Sequence, residues 1–223
     1  MTFALLLLVG IMAIVVWWLF RQTVRVSPWS DQEPADSVRG DGSLSLPPIK
    51  VGLGVFLAVA TSLFALLVSA YYMRRVGDDW TALTVPKVLW LNTLLLILSS
   101  VAMQWTKGAA GREDIDGVRN GLYAAGAFTF LFLAGQLWAW QQLAASGYFA
   151  ATGPSYAFFY LFTALHAVHL LGGLWVWGRT TGRVWRGADV TAVRLSVELC
   201  AVYWHFLLLV WITLFIVLLR TQS

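Results

Sequence analysis

The sequence predicts an all-α, polytopic membrane helix bundle. Of its 223 residues, 59% are hydrophobic and 12% are charged, and soluble domains carry roughly 25% charged residues. So little charge cannot cover a water-exposed surface. The apolar residues are also gathered into runs of the length that crosses a bilayer, about 20 residues per helix. The net charge of +4 is therefore interpreted through the distribution of Lys and Arg among the loops.

Six apolar runs have the length of a membrane-spanning helix. They are residues 2–20, 51–73, 85–106, 118–143, 155–178 and 193–219. Pro86 and Pro154 lie at predicted helix starts, where proline is tolerated, and no proline lies in the interior of a predicted helix. The first run lacks the basic start and the small-residue cleavage pattern of a signal peptide, so we expect it to be a retained helix.

A polar segment rich in Ser, Pro, Gly and Asp separates the first run from the other five. Such a composition is typical of an extended linker. We therefore predict an N-terminal transmembrane helix at 1–21, a cytoplasmic linker at 22–49 and a five-helix membrane domain at 50–223, six spanning helices in total.

The loops on the two sides of the predicted membrane differ in basic residues. Of 15 Lys and Arg residues, 11 lie in 21–50, 107–119 and 179–194, and 4 lie on the side of the N-terminus. Because cytoplasmic loops carry the excess of positive charge, we expect both termini to lie outside. Trp175 and Trp177 near predicted inner ends, and Tyr71 and Trp140 near outer ends, are interpreted as interfacial anchors.

Several classes of site are excluded by the residues present. Cys200 is the single cysteine, so an intramolecular disulfide and a dithiol motif are impossible. The loops carry no Ser/His/Asp set, paired carboxylates or phosphate-binding glycine loop of a soluble enzyme. The polar residues inside the apolar runs are therefore the informative positions, since polar groups in a bilayer need partners.

The run at 85–106 carries two polar pairs, Asn92 with Thr93 and Ser99 with Ser100. Seven residues are two helical turns, so both pairs return to nearly the same face. We interpret this stripe as a seam that hydrogen-bonds to a neighbouring helix.

Three histidines lie near the predicted midplane, His166 and His169 in one run and His205 in the next. His166 and His169 are three residues apart and share a helix face. Neutral histidines hydrogen-bonded between helices are the preferred interpretation. Metal or haem ligation and proton transfer are the alternatives.

Glu198 is the one carboxylate within an otherwise apolar run, and it lies one turn from Arg194. An i, i+4 ion pair with Arg194 or an interhelical hydrogen bond is the preferred interpretation. The alternatives are a proton-antenna role and a contact with another subunit.

Two segments resemble the heme-copper oxidase subunit III family. The string FFYLFTALHAVHLLGGLWV (158–176) is similar to the family's F-x-x-L-T-G-x-H-G-x-H-V-x-x-G element, and SVELCAVYWHFLLLVWITLF (196–215) to its E-x-x-x-x-Y-W-H-F-V-D-V-V-W element. Weaker matches are LWLNTLLLILSS (89–100) and the stretch 130–140 with Gln136. Together the matches cover residues 50–220 in the family's order.

Ten polar or aromatic positions match the family's pattern, and the resemblance implies structural, subunit-contact or lipid-contact roles for them, with no catalytic or metal-binding residue. They are Asn92, Ser99, Ser100, Gln136, His166, His169, Glu198, Tyr203, Trp204 and His205. The family's Ser-Glu pair is replaced by Val59-Ala60, and two further carboxylates by Ala139 and Leu208. The roles of those carboxylates are therefore not carried over.

The resemblance implies a non-catalytic accessory subunit of a respiratory terminal oxidase in the bacterial plasma membrane. Such a subunit supports oxygen reduction coupled to proton translocation by stabilising the catalytic subunit and by binding phospholipid. It has no redox centre of its own, because haem and copper belong to catalytic subunit I, with subunit II elsewhere in the complex. No nucleic-acid partner is expected.

Two other functions are kept as alternatives. One is the related accessory protein of nitric oxide reductase, which shares the five-helix core. The other is a standalone membrane haem b protein with histidine ligands. The sequence leaves open whether the electron donor of the complex is cytochrome c or a quinol, and what the N-terminal helix does.

Overall fold

Five long helices make up the computed structural model of the protein, which describes residues 48–220. They are α1 (Pro48–Arg74), α2 (Val88–Gly111), α3 (Ile115–Ala145), α4 (Pro154–Trp185) and α5 (Val190–Leu219), and no strand occurs in this range. Each helix is long and apolar enough to cross a membrane. The predicted all-α class and the last five spans are therefore confirmed, whereas the run at 2–20 and the linker up to residue 47 lie outside the described residues.

The chain divides into two compact units, residues 1–65 and 66–223, with the boundary inside α1. In the described part of the first unit, Thr61 Oγ1 donates to the carbonyl of Leu57 at 2.7 Å and Ser62 Oγ to that of Ala58 at 3.0 Å. Each hydroxyl therefore finds its acceptor on its own helix, as polar groups inside a membrane require.

In the second unit, α2 packs on α3 and α5, and α4 packs on the same two helices. The four helices therefore form a closed ring, and the short connections at 112–114, 146–153 and 186–189 make sequence neighbours antiparallel. Large aromatic side chains fill its core. The fully buried ones include Phe132, Phe159, Phe162, Trp204 and Trp211.

The helix ends follow from local chemistry. Asp114 Oδ1 accepts a hydrogen bond from Gly117 N at 2.9 Å and so caps α3. The residue before it, Glu113, adopts the left-handed conformation with φ of 60°, which closes the three-residue turn from α2. Pro154 lies in the first turn of α4 as predicted, and α2 begins at Val88, three residues later than its apolar run, because Pro86 forms a turn with Leu89.

The C-terminal end of α1 carries an aromatic cluster and an ion pair. Tyr71 is only 1% exposed, with its ring centroid 5.1 Å from that of Trp80 and 5.5 Å from that of Phe158. It is therefore a packing residue rather than the interfacial anchor that the sequence suggested. Beyond it, Arg74 binds the Asp79 carboxylate through two nitrogens, and this hydrogen bonding lowers the pKa of Asp79.

Candidate functional site

The polar stripe of α2 lies at helix contacts, as predicted, but it serves two neighbours rather than one. Asn92 and Ser99 contact α3, whereas Ser100 contacts α5. Thr93 Oγ1 accepts a hydrogen bond from Trp211 Nε1 of α5 at 3.0 Å. Adjacent helical residues differ by about 100° in direction, so each consecutive pair places one member on each neighbouring helix.

A buried hydrogen-bonded node joins three helices at Ser99. Ser99 Oγ lies 2.7 Å from Thr129 Oγ1 of α3, and both hydroxyls lie 2.8 Å from the carbonyl oxygen of Ala125. Trp204 Nε1 of α5 donates to Ser99 Oγ at 2.9 Å and approaches Thr129 Oγ1 at 3.2 Å. One hydroxyl of α2 therefore fixes the positions of α3 and α5 together.

Asn92 and Gln136 form the second buried polar contact between α2 and α3. Asn92 Nδ2 donates to Gln136 Oε1 at 3.3 Å, and both residues are essentially inaccessible to solvent. Gly135 lies directly against the Asn92 side chain, where a Cβ would overlap the amide oxygen. The absence of a side chain at residue 135 therefore allows the amide pair to form.

His205 lies at the contact of α2 and α5, in a cluster that is open on one side. Its Nδ1 is hydrogen-bonded to Ser100 Oγ, and its Nε2 lies 3.0 Å from Gln104 Oε1. A neutral imidazole fits both contacts, accepting from the serine hydroxyl and donating to the glutamine carbonyl. Ser100 is buried, whereas His205 and Gln104 are exposed.

The other two histidines lie in different surroundings despite their shared helix. His166 is fully buried, with its ring centroid 5.2 Å from that of Trp211 and 5.9 Å from that of Phe132. His169 is half-buried, and its Nδ1 donates to the carbonyl of Leu165 at 2.8 Å. No group of three or more His, Cys, Asp or Glu residues within 48–220 is placed to hold a metal ion.

Tyr203 and Glu198 complete the predicted set. Tyr203 OH donates to the carbonyl of His169 at 2.8 Å and links α5 to α4. Arg194 Nε lies 3.5 Å from Glu198 Oε1, so the i, i+4 ion pair expected from the sequence is present. The Glu198 side chain is 30% exposed, which places this carboxylate at the surface of the bundle.

Two further indole contacts were not predicted as interhelical bonds. Trp177 Nε1 of α4 donates to the carbonyl of Leu122 at 3.0 Å, and its ring fills the space left by the missing side chain of Gly126. Trp140 Nε1 of α3 donates to Thr163 Oγ1 of α4 at 3.0 Å. The sequence predicts both tryptophans to be interfacial anchors, and the geometry adds a packing role to each.

These contacts are chemically suited to joining helices. Hydrogen bonds between membrane helices contribute about 0.6 kcal/mol on average, and aromatic rings add contact area and edge-to-face packing. Nine of the ten predicted residues contact a different helix, most of them through a side-chain hydrogen bond. His166 contacts aromatic rings instead, and His169 accepts a hydrogen bond from Tyr203 through its backbone carbonyl. Glu198 pairs within its own helix.

Comparisons with known proteins agree with this architecture. A family model described as "Cytochrome c oxidase subunit III" matches residues 1–221. The chain is 30% identical over 179 residues to a cytochrome c oxidase subunit 3 of Thermostichus vulcanus and 31% identical over 176 residues to one of Corynebacterium diphtheriae, covering 75% of this chain and 85% of each relative. It is 33% identical over 182 residues to a probable cytochrome c oxidase subunit 3 of Mycobacterium leprae, covering 76% of this chain and 86% of that protein.

The match extends over the described helices and includes the two segments that carried the resemblance. Five membrane-capable helices in a chain of this family indicate a multi-pass membrane protein that works within an oxidase complex. This multi-pass chain belongs to the cytochrome c oxidase subunit III family.

Proposed function

We propose that the chain is the accessory subunit III of a respiratory heme-copper oxidase, which packs against catalytic subunit I and stabilises it during turnover. In this proposal haem and copper reside in the partner subunits, and subunit II lies elsewhere in the same complex. The observation that carries the proposal is that polar residues matching the family's pattern lie at contacts between helices. Asn92, Ser99 and Trp204 hydrogen-bond between helices, which suits a scaffold that holds a fixed shape.

The composition of the purified complex tests this proposal. A tag on this chain is expected to co-purify subunits I and II, and haem and copper are expected to follow those subunits in amount. Iron or copper bound stoichiometrically by the isolated chain would contradict the proposal and support the haem b alternative. Co-purification of a nitric oxide reductase catalytic subunit would instead support the nitric oxide reductase alternative, which the named relatives do not favour.

The stabilising role has its own measurement. An oxidase assembled without this chain is expected to begin with normal turnover and then lose activity faster than the complete complex. Adding the purified chain back restores the lifetime if the role is structural support. Equal decay with and without the chain would contradict this part of the proposal.

We also propose that phospholipid lies along α1, beside the N-terminal helix that the sequence predicts. The α1 surface offers apolar side chains for this contact, with Val55 60% and Val59 62% exposed. Val59 stands where the family has a polar residue, so acyl chains rather than headgroups are suited to this stretch. Lipid that remains after purification, identified by mass spectrometry, tests the proposal, and a delipidated chain of unchanged stability would contradict it.

The proposed setting is the bacterial plasma membrane, with six spanning helices and both termini outside. The 11 basic residues of the loops at 21–50, 107–119 and 179–194 support this orientation, against 4 on the opposite side.

A further inference from the structure

A groove runs between α3 and α4 at the end of the bundle where the basic loops lie. Its volume is about 550 Å³. We call it the α3–α4 groove, and the residues that line it include Tyr123, Trp177, Gly178, Gly182, Trp185 and Arg186. All of these except Tyr123 belong to the C-terminal part of α4 or directly follow it, so the end of one helix forms most of the groove.

The aromatic walls of the groove are held in place by contacts within the bundle. Trp177 Nε1 donates to the carbonyl of Leu122 at 3.0 Å, and its ring lies against Gly126. The rings of Tyr123 and Trp185 pack edge to face, with their centroids 6.2 Å apart. The groove is therefore preformed, and a ligand enters it without a rearrangement of the helices.

Two glycines leave the floor of the groove open. No atom lies within 4 Å of the position that a Cβ would take at Gly178 or at Gly182. Gly178 precedes Arg186 by eight residues, which is about 12 Å along the helix axis. Because the headgroup region of one leaflet is roughly 6 Å thick, a groove of this length extends from the depth of the phosphates to that of the acyl chains.

The outer end of the groove carries an excess of positive charge. Arg179 and Arg183 lie in the last two turns of α4, Arg186 follows them, and the helix contains no carboxylate. Arg186 is exposed and forms no ion pair within residues 48–220. A guanidinium binds phosphate through two parallel hydrogen bonds, so this end of the groove suits a phosphate group.

The order of these features favours a phospholipid over a protein segment as the occupant. Phosphate surrounds a membrane protein at this depth, and the chain attached to it continues into the apolar part of the groove. A helix with its side chains is 10–12 Å across, so a 12 Å length of it occupies about 1,000 Å³, more than the groove holds. A protein partner would therefore have to place a carboxylate and a thin apolar side chain at matching positions.

We propose that the α3–α4 groove binds an anionic phospholipid, with its phosphate at Arg186 and the first part of an acyl chain along Gly178 and Gly182. The basic end of α4 attracts an anionic headgroup more strongly than a zwitterionic one, because the amine of the latter would approach the same arginines. The residues of this site are not those of the lipid contact proposed along α1. The site depends on the membrane location of the chain and not on its role in an oxidase.

Lipid titration followed by native mass spectrometry tests the charged end. The probe is phosphatidylglycerol added to the full chain in detergent, and phosphatidylcholine is the zwitterionic reference. Arg186→Gln is expected to raise the apparent Kd for phosphatidylglycerol about fivefold, the effect of one basic residue near an anionic surface. Arg112→Gln is the matched control, because Arg112 is exposed at the same end of the bundle and does not line the groove. Equal Kd values for the two variants would overturn the proposal.

Filling the floor of the groove tests the apolar end. Gly178→Leu is expected to remove the preference for phosphatidylglycerol over phosphatidylcholine while Arg186 remains in place. Gly172→Leu is the matched control and is expected to keep the preference. Both glycines are exposed, and no atom lies within 4 Å of either Cβ position, so both variants are expected to fold. An unchanged preference in Gly178→Leu would contradict the proposal.

A competition experiment distinguishes a lipid from a free anion. Inorganic phosphate in excess over phosphatidylglycerol is expected not to displace it, because free phosphate has no chain for the apolar part of the groove. Displacement by inorganic phosphate would show that Arg186 binds a free anion, and the assignment to a lipid would be wrong.

Photo-crosslinking in the complete oxidase distinguishes a lipid from a protein. Benzoylphenylalanine at Trp185, which is 70% exposed at the edge of the groove, is expected to give lipid adducts. A crosslink to another subunit, to a second copy of this chain or to its own residues 1–47 would overturn the proposal. A chain that co-purifies with no oxidase subunit would instead contradict the proposed function and leave the lipid titration unaffected.

Discussion

The indole nitrogen of Trp204 lies 2.9 Å from the hydroxyl oxygen of Ser99, and this bond connects α5 to the contact between α2 and α3. Ser99 also lies 2.7 Å from Thr129 Oγ1, so three helices share one hydroxyl. Because all these atoms are buried, their loss cannot be compensated by water. The stability of the bundle is therefore expected to depend measurably on this node.

A double-mutant cycle measures the coupling free energy between Ser99 and Trp204. Ser99→Ala and Trp204→Phe are expected to destabilise the chain with a coupling free energy of about 0.6 kcal/mol, and at most about 1.7 kcal/mol, as for other membrane hydrogen bonds. Unfolding in mixed micelles provides the measurement. Thr213→Val is the control, because Thr213 bonds only the carbonyl of Leu209 on its own helix, and additive effects of the first two substitutions would contradict the assignment.

Gly135→Ala is expected to destabilise the α2–α3 contact. Its methyl group would overlap the amide of Asn92, and overpacking of this kind costs roughly 1–3 kcal/mol. Gly172→Ala is the matched control, since no atom lies within 4 Å of its Cβ position and alanine favours the helix. The thermal midpoint of the purified chain should fall for the first variant alone, and a fall of equal size in both would mean that packing at residue 135 is not special.

Glu198→Gln is expected to leave assembly intact and to change either the turnover of the oxidase or the rate at which it decays. Arg194→Gln separates the carboxylate from its ion pair, because it breaks the 3.5 Å contact while keeping the charge of Glu198. If Glu198 contacts a subunit or a proton path, the first variant alone alters the decay. Identical behaviour of both variants and the parent would make the pair a surface ion pair of little consequence.

The turn after α1 is expected to loosen in acid. Hydrogen bonding to Arg74 lowers the pKa of Asp79, so the order that this contact confers is present above the unfolded-state pKa and is lost as pH falls through the lowered value. Hydrogen exchange of residues 75–80, corrected for the intrinsic rate, measures it. Asp79→Asn should show fast exchange already at neutral pH and no further acid effect, and protection equal to the parent would contradict the prediction.

Accessibility of single cysteines tests the orientation. In a chain with Cys200→Ala, which replaces a buried thiol, Ala151→Cys is expected to react with an impermeant maleimide on intact cells. Arg186→Cys should react only after the membrane is opened, because its loop belongs to the basic side. The reverse pattern would invert the proposed topology.

Apolar run length and proline placement were sufficient to predict five helices to within a few residues at most ends. The largest differences occur where charged or glycine-containing turns continue a helix beyond its apolar run, as at Trp185, because helical hydrogen bonding extends into the polar interface. Periodicity also predicted that Asn92 and Ser99 lie at a helix contact.

The partners of those residues could not be predicted, because they depend on how each helix is rotated about its axis. Trp211 follows Trp204 by seven residues, which indicates a shared face but not that Thr93 lies opposite. Glycine has no side chain whose chemistry could indicate a contact, so the fit of Gly135 against Asn92 is visible only in the packed structure. Gln104 is the single glutamine of the run at 85–106, and this isolated amide could have identified it as a polar contact residue.

The three-residue turn between α2 and α3 has a consequence for synthesis. Asn92 and Ser99 precede Trp204 in the chain, so α5 cannot provide their first hydrogen-bond partner during synthesis. Gln136 and Thr129 follow within the same hairpin, and each provides one of them with a hydrogen-bond partner. The short turn thus lets α2 and α3 insert as a hydrogen-bonded pair, and the arrival of α5 completes the bundle.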